Sequence, residues 1–168
     1  LAKTITRTPA IKKITSRLEV TKEDVFNCVR NVLKSDIFTE TEAVHAAGLF
    51  LHGKEQVCFA EDIGRHHALD KIIGAALLQG IPLEETMAAS TGRQAAEMIT
   101  KICRAGIPII ATKAAVTDRG IALAEKYGVT LIGFVREAGS KMNTDMSVRV
   151  FKQEVMKIYS HPSRVRCE

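Results

Sequence analysis

Glu61-Asp62-Ile63-Gly64-Arg65-His66-His67-Ala68-Leu69-Asp70-Lys71-Ile72-Ile73-Gly74 is the stretch on which the reading of the fold turns. The apolar run at residues 56–60 ahead of it reads as a strand, and behind it Leu69, Ile72, Ile73, Ala76 and Leu77 recur at helical spacing up to a glycine stop at Gly80. Two acids, an arginine and two histidines therefore meet at a strand-to-helix junction with a glycine in the bend. Such a junction holds polar groups at the edge of a sheet, and the free N–H groups of the helix start suit an anion. Taken singly, these residues have plainer explanations: Asp62 as a helix cap, Arg65 and Asp70 as solvated or paired charges. A plain cap does not need the whole cluster.

The same rhythm repeats downstream. Residues 86–90 form a short apolar run, and Thr91-Gly92-Arg93 then opens a helix carrying Ala95, Met98, Ile99 and Ile102 up to Gly106. Residues 107–112 read as a second strand, followed by a turn at 113–118 and a helix through Tyr127 that Gly128 stops. Residues 129–135 are the third such strand. Strand–helix–strand–helix–strand with short links is the pattern of parallel crossovers. Upstream, two apolar runs around His52-Gly53-Lys54-Glu55 suggest a hairpin, although the alanines beside His45 also permit a helical turn. A hairpin makes the sheet mixed, and the expected fold is α/β, a three-layer α/β/α domain.

Earlier still, Thr21-x-x-Asp24 resembles a capping box, with Val25, Cys28, Val29, Val32 and Leu33 on one helical face. Residues 36–41 read as a linker, and residues 1–20 as an extended arm. The division is residues 1–40 as a basic arm and helix, 41–139 as the core, and 140–168 as a C-terminal extension of the same domain.

In a parallel sheet the loops leaving the C-terminal strand ends gather along one edge, where ligands bind. Residues 61–66, 90–93, 113–118 and 136–139 fall in that class. Ser90-Thr91-Gly92-Arg93 at a helix start combines hydroxyls, a small residue, an arginine and N–H groups, which suits a phosphate but is also ordinary capping chemistry.

The 168-residue chain, 46% hydrophobic, is long enough for one core. Residues 1–35 carry a net +5, residues 36–138 a net −3 and residues 139–168 a net +3, so an anionic partner is favoured near the ends. With no Trp, two Tyr and no helix-turn-helix pattern, nucleic acid is not an expected partner. Nor is a membrane, since no apolar run nears the roughly eighteen residues of a spanning helix. Cys28, Cys58, Cys103 and Cys167 form no Cys-x-x-Cys, and nothing implies export, which points to free thiols in a cytoplasmic protein. The first residue is Leu1 rather than Met, which leaves room for a preceding segment.

A zinc nucleobase deaminase needs His-x-Glu followed by Pro-Cys-x-x-Cys. Here His45-Ala46-Ala47 puts alanine where the glutamate belongs and no cysteine pair follows, so no zinc is expected. There is no Walker loop and no Gly-x-Gly-x-x-Gly. From the residues alone, the chain reads as an anionic-ligand binding domain with no named catalyst.

Several ordered motifs add a resemblance. Residues 61–74 match closely the signature of the formate dehydrogenase accessory sulfur-carrier family (FdhD/NarQ), with His67 where asparagine is common. Thr41-x-x-Val44-His45-Ala46-Ala47 is similar to the family's Thr-Gly-Gly-Val-His-Ala-Ala, with Glu42 and Ala43 in place of the glycines. Thr91-Gly92-Arg93-x-x-x-Glu97-Met98-x-x-Lys101 resembles its Ser-Gly-Arg motif, and Thr117 fits the threonine of the next loop. Gly128-x-Thr130-Leu131-x-Gly133-Phe134-x-Arg136 fits its last strand. Tyr159-Ser160-His161-Pro162-Ser163-Arg164 resembles the C-terminal motif, displaced by an insertion after Gly139.

The resemblance implies a cytidine-deaminase-like fold without the zinc site, and a homodimer. It implies an accessory sulfurtransferase that takes persulfide sulfur from a cysteine desulfurase. The sulfur passes to the molybdenum bis(molybdopterin guanine dinucleotide) cofactor, a bound substrate, during formate dehydrogenase maturation. The carrier is a Cys-x-x-Cys loop, which in the family precedes the segment corresponding to Leu1. By the same resemblance Phe134, Val135, Arg136, Glu137, Ala138 and Gly139 contact the guanine dinucleotide. Arg65, Thr91, Gly92 and Arg93 are expected to hold its pyrophosphates. His45, Asp62 and Asp70 are expected to orient neighbours or recognise the base, and His66 and Thr117 join the set by motif position. No catalytic or metal-binding residue is expected in this chain. The rival from another class is a non-catalytic guanine-nucleotide or cofactor-binding regulatory domain.

Overall fold

Apolar runs in the middle of the chain become the inner strands of a six-stranded mixed sheet, and the periodic segments between them become the helices that cover it. The computed structural model describes residues 10–41, 43–138 and 153–166. Within these, β1 (Val20–Thr21), α1 (Lys22–Leu33) and α2 (Asp36–Thr41) precede the hairpin of β2 (His45–Leu51) and β3 (Glu55–Asp62). Then come α3 (Arg65–Gln79), β4 (Thr86–Ser90), α4 (Ala96–Ala105), β5 (Ile109–Thr112), α5 (Asp118–Tyr127), β6 (Thr130–Ala138), β7 (Gln153–Ser160) and β8 (Val165–Arg166). The sheet runs β3-β2-β4-β5-β6-β7, with β4, β5 and β6 parallel and the β3–β2, β2–β4 and β6–β7 pairs antiparallel.

Two apolar clusters make the three layers. On one face α1 lays Val25, Phe26, Val29 and Val32 against Phe50, Met87, Ile109 and Ile132. On the other, Leu69 and Ile72 of α3, Met98, Ile99 and Ile102 of α4 and Ala124 of α5 pack on Leu49, Ala88, Ile110 and Leu131. Every residue of β4 and β5 is buried, as strands covered on both faces require. The α/β class, the mixed sheet and the hairpin agree with the sequence reading, and His45 is in a strand rather than a helical turn.

Thr21 forms the capping box: its hydroxyl accepts from Asp24 N at 3.1 Å, and the Asp24 carboxylate accepts from Thr21 N at 2.8 Å. Thr21→Ala is expected to cost about 1 kcal/mol, read as a lower urea midpoint at unchanged slope.

Two expectations change. Residues 36–41, read as a linker, form the short helix α2, started by Ser35, whose hydroxyl accepts from Phe38 N. The helix read as starting at Thr91 begins at Ala96. The cause is non-local: Gln94 N donates to Ala115 O at 3.0 Å and Thr117 N to Gln94 O at 3.1 Å, which holds residues 91–95 in an extended bridge to the next loop. Residues 1–9, Glu42, the insertion at 139–152 and Cys167 lie outside the described residues.

The C-terminal motif closes the edge of the sheet opposite the ligand-bearing loops. Arg164 donates through Nη1 to Gly128 O at 2.7 Å and to Thr130 Oγ1 at 3.2 Å, and through Nε to Ser16 O at 3.1 Å. Ser160 Oγ donates to Val129 O while accepting from Leu131 N, and Thr130 Oγ1 donates to His161 O. The motif thus ties the N-terminal arm and β7 to the start of β6.

Candidate functional site

Because β2 runs antiparallel to β3 and β4, its first residue shares an edge with their last ones. His45 lies opposite Asp62 in register and Ala47 opposite Ser90. The ends of β5 and β6 reach the same edge, with Lys113 and Phe134 beyond the last β5–β6 pair. The edge expected from sequence to gather the loops does gather them.

The residue 90–93 turn is pinned from three sides. Thr91 N donates to Ala46 O and Ala46 N donates to Thr91 Oγ1, both at 3.0 Å, so Thr91 is buried in the wall of the site. Gly92 N donates to Ser90 Oγ, and Gly92 O accepts from Gln94 Nε2 at 3.0 Å and Thr112 Oγ1 at 2.8 Å. Gly92 passes so close to Arg65 that an added Cβ would lie 2.7 Å from Arg65 Cβ and 3.2 Å from its Cδ. The Arg65 side chain thus runs beneath this turn, its Nε buried with no hydrogen-bond partner among the described residues. Arg93 is exposed at the rim.

His45 stands among these cations, its Nδ1 3.4 Å from Thr91 Oγ1. Burial, and then the charges of Arg65, Arg93 and Lys113, pull its pKa below the usual histidine value. It is therefore a neutral imidazole at pH 7 in an electropositive setting. His66 is also lowered, by burial and by Arg65 and Lys101, with Glu97 and Asp70 opposing.

Asp62 does not cap α3; the N-cap is Gly64. The carboxylate accepts from Lys71 Nζ at 2.8 Å and Gly64 N at 2.9 Å and pairs with His67 Nδ1 at 3.2 Å. Those bonds, Lys71 first, hold its pKa down at about 2 and shape the turn into α3. Asp70 pairs with Lys101 of α4. Thr117 caps α5, accepting from Gly120 N at 3.2 Å.

At the β6 end the backbone bulges between Gly133 and Arg136, and Phe134 takes a φ of 53° while its N donates to Ala114 O. The Phe134 ring lies 5.8 Å from the Arg136 guanidinium and 5.7 Å from Lys157 Nζ. Val135 faces the opposite way, into a groove of about 280 Å³ under α1. Phe26, Val29 and Leu33 form its apolar side, and Arg30, Lys113 and Arg136 bring charge. Gly139 and the side chains of Glu137 and Ala138 lie outside the described residues.

Lys113 joins the two halves: it lines the groove and acts electrostatically on His45, with its Nζ 4.4 Å from the centre of the Phe38 ring. Lys113 is thus shared between the groove under α1 and the cationic surroundings of His45. Sequence reasoning placed the 113–118 loop on this edge without singling out Lys113, and it missed Gln94, Thr112 and the α1 floor. The position of Lys113 just after an apolar strand was a usable signal, whereas the α1 contribution had none.

A family model described as the FdhD/NarQ family matches residues 2–166. The chain is 36% identical over 160 residues to the sulfur carrier protein FdhD of Methanothermobacter thermautotrophicus, covering 95% of this chain and 57% of that one. It is 37% identical over 155 residues to that of Wolinella succinogenes, covering 92% and 48%, and 45% identical over 125 residues to that of Bordetella parapertussis, covering 74% and 40%. The chain spans about half the length of the curated relatives it matches. A crystal structure of a candidate formate dehydrogenase accessory protein from Desulfotalea psychrophila superposes with a TM-score of 0.73 at 28% identity, covering 94% of this chain and 60% of that one. By the extent of these matches, the chain belongs to the FdhD/NarQ family.

Proposed function

We propose that this chain is the cofactor-binding portion of a sulfur carrier that serves formate dehydrogenase maturation. The observation that carries the reading is the placement of Arg65, Arg93 and Lys113 around His45 at the strand-end edge, with Lys113 also lining the groove under α1. The substrate is the molybdenum bis(molybdopterin guanine dinucleotide) cofactor, and the residues present fit its nucleotide ends. The groove beside Val135 and Arg136 takes a guanine, and Arg65, whose buried Nε has no partner, joins Arg93 and Lys113 on the pyrophosphate. Thr91, Gly92, Gln94 and Thr112 position that turn, and neutral His45 offers a hydrogen bond without adding positive charge. Sulfur comes as persulfide from a cysteine desulfurase, and the cofactor accepts it before insertion into the dehydrogenase. The setting is cytoplasmic and the assembly a homodimer.

The carrier thiol belongs to a Cys-x-x-Cys loop outside this chain. Burial raises the thiols of Cys28, to about 12, and Cys103, to about 11, and that of Cys58 in the same direction. These are protonated small hydrophobes at neutral pH, poor acceptors of sulfane sulfur. The same burial favours the second reading, a guanine-nucleotide-binding regulatory domain with no carrier function. A Cys-x-x-Cys directly upstream in the complete gene product separates the two.

Arg93→Ala is expected to weaken GDP binding roughly tenfold or more in calorimetric titration, with the melting temperature unchanged because Arg93 is exposed. Unaltered affinity would remove Arg93 from the phosphate seat.

A further inference from the structure

The helix α2 is only lightly attached to the fold. Asp36, Ile37, Thr39, Glu40 and Thr41 are exposed, and Phe38 alone is half-buried. Phe38 belongs to neither apolar cluster, so a core does not hold it. The Lys113 ammonium lies 4.4 Å from the centre of its ring instead. The hydrogen bonds of α2 are local: Ser35 Oγ accepts from Phe38 N, Ser35 O accepts from Thr39 N and Thr39 Oγ1, and Ile37 O accepts from Thr41 Oγ1. Six residues bonded in that way do not keep a helix in water by themselves. Among the described residues, the Phe38 ring on Lys113 is thus the contact that ties α2 to the strand-end edge.

Lys113 has a second demand on it. It stands with Arg65 and Arg93 around His45, where three cations repel one another until an anion arrives. The face of a ring attracts a cation through its quadrupole, and that attraction depends on the charge being uncompensated. A phosphate at the same ammonium makes charge-assisted hydrogen bonds, which are stronger than the contact with a partly exposed ring. It also cancels the charge that the ring was holding. The two partners are therefore opposed in energy.

We propose that Phe38 and an anionic ligand compete for Lys113, so that α2 is a strap that the ligand unfastens. This rests on the reading of Arg65, Arg93 and Lys113 as an anion seat and adds regulation to it. In the empty protein the ring and the ammonium hold each other, and α2 is fastened. With phosphates on Lys113 the ring loses its partner, and α2 has the low local stability of a segment without buried contacts. The coupling is reciprocal: what holds α2 down weakens ligand binding, and what frees Lys113 strengthens it. Only residues 42–44 separate α2 from His45 at the start of β2, so the strap lies next to the site in the chain as well. An occupied site thereby differs from an empty one in the surface that it presents at α2.

The test titrates the whole 168-residue chain with pyrophosphate by calorimetry. Phe38→Ala is expected to bind it roughly two- to fivefold more tightly than the parent, a gain that loss of a merely structural side chain does not give. On a Lys113→Gln background the same change is expected to have no effect. The chain contains no Trp, so Phe38→Trp supplies a single indole, whose emission is expected to move to longer wavelength along the calorimetric isotherm. Melting temperatures check that each variant is folded. Equal or weaker binding by Phe38→Ala overturns the strap and leaves the anion seat standing. So does tightening that survives Lys113→Gln, or an indole that stays silent while calorimetry records binding. No binding of pyrophosphate by either the parent or Phe38→Ala overturns both the strap and the seat.

Discussion

Gly128→Ala is expected to destabilise the fold by about 3 kcal/mol, combining the left-handed backbone penalty with overpacking. In a chain of this size that lowers the melting temperature by roughly 6–12 °C. Gly128 has a φ of 80°, and a Cβ there would lie 2.5 Å from the carbonyl oxygen of Ile14. That contact is backbone and cannot rotate away. Ile14 N donates to Tyr127 O at 2.8 Å, and Arg164 fixes both Gly128 O and Ser16 O, so the arm is held against the turn from two sides. Gly74→Ala is the matching control: nothing lies within 4 Å of its Cβ position in α3, and the change is expected to stabilise by up to about 1 kcal/mol. A Gly128→Ala loss no larger than the left-handed backbone penalty alone, about 1 kcal/mol, would mean that the arm at Ile14 is not anchored.

The second large effect is on binding. Gly92→Ala is expected to weaken GDP roughly tenfold or more, while the protein stays folded. The added methyl meets Arg65 at Cβ, not at the flexible end of its side chain, and Arg65 is the first residue of α3. The turn cannot retreat, because Thr91 is bonded to Ala46 and Gly92 O to both Gln94 and Thr112. Arg65 must then leave its path beneath the turn, and its Nε no longer serves the site. Calorimetric titration with GDP, with a thermal melt on the same sample, reads the two consequences separately. Unchanged affinity would show that Arg65 does not touch the ligand.

The parts of this fold that were legible in the sequence are those decided locally. Thr21 and Asp24 announce α1 because a capping box is a four-residue event. Gly80, Gly106 and Gly128 each end a helix in the left-handed conformation, at the positions where the apolar period stops. The convergence of Arg65 and Arg93 on one edge followed from strand direction alone, whereas His45 entered only through the resemblance. What was not legible depends on partners far along the chain. Residues 91–95 have helical composition, yet Gln94 is captured by Ala115 and Thr117, and α4 starts at Ala96. The short helix α2 has no buried residue to give it a period. β7 gains its place only by pairing with β6, and the groove exists only because α1 crosses the far end of that strand. Asp62 looked like a cap, but its carboxylate is engaged by Lys71, Gly64 and His67.

The central claim is that an apolar slot and the Arg65, Arg93 and Lys113 cluster form one guanine-nucleotide site. Calorimetric titration of the 168-residue chain with GDP, and with ADP in parallel, tests it most directly. The account predicts that GDP binds and ADP does so much more weakly, since the phosphates are shared and only the base differs. Equal binding of the two would leave an anion site without a guanine pocket, and no binding of GDP would contradict the account.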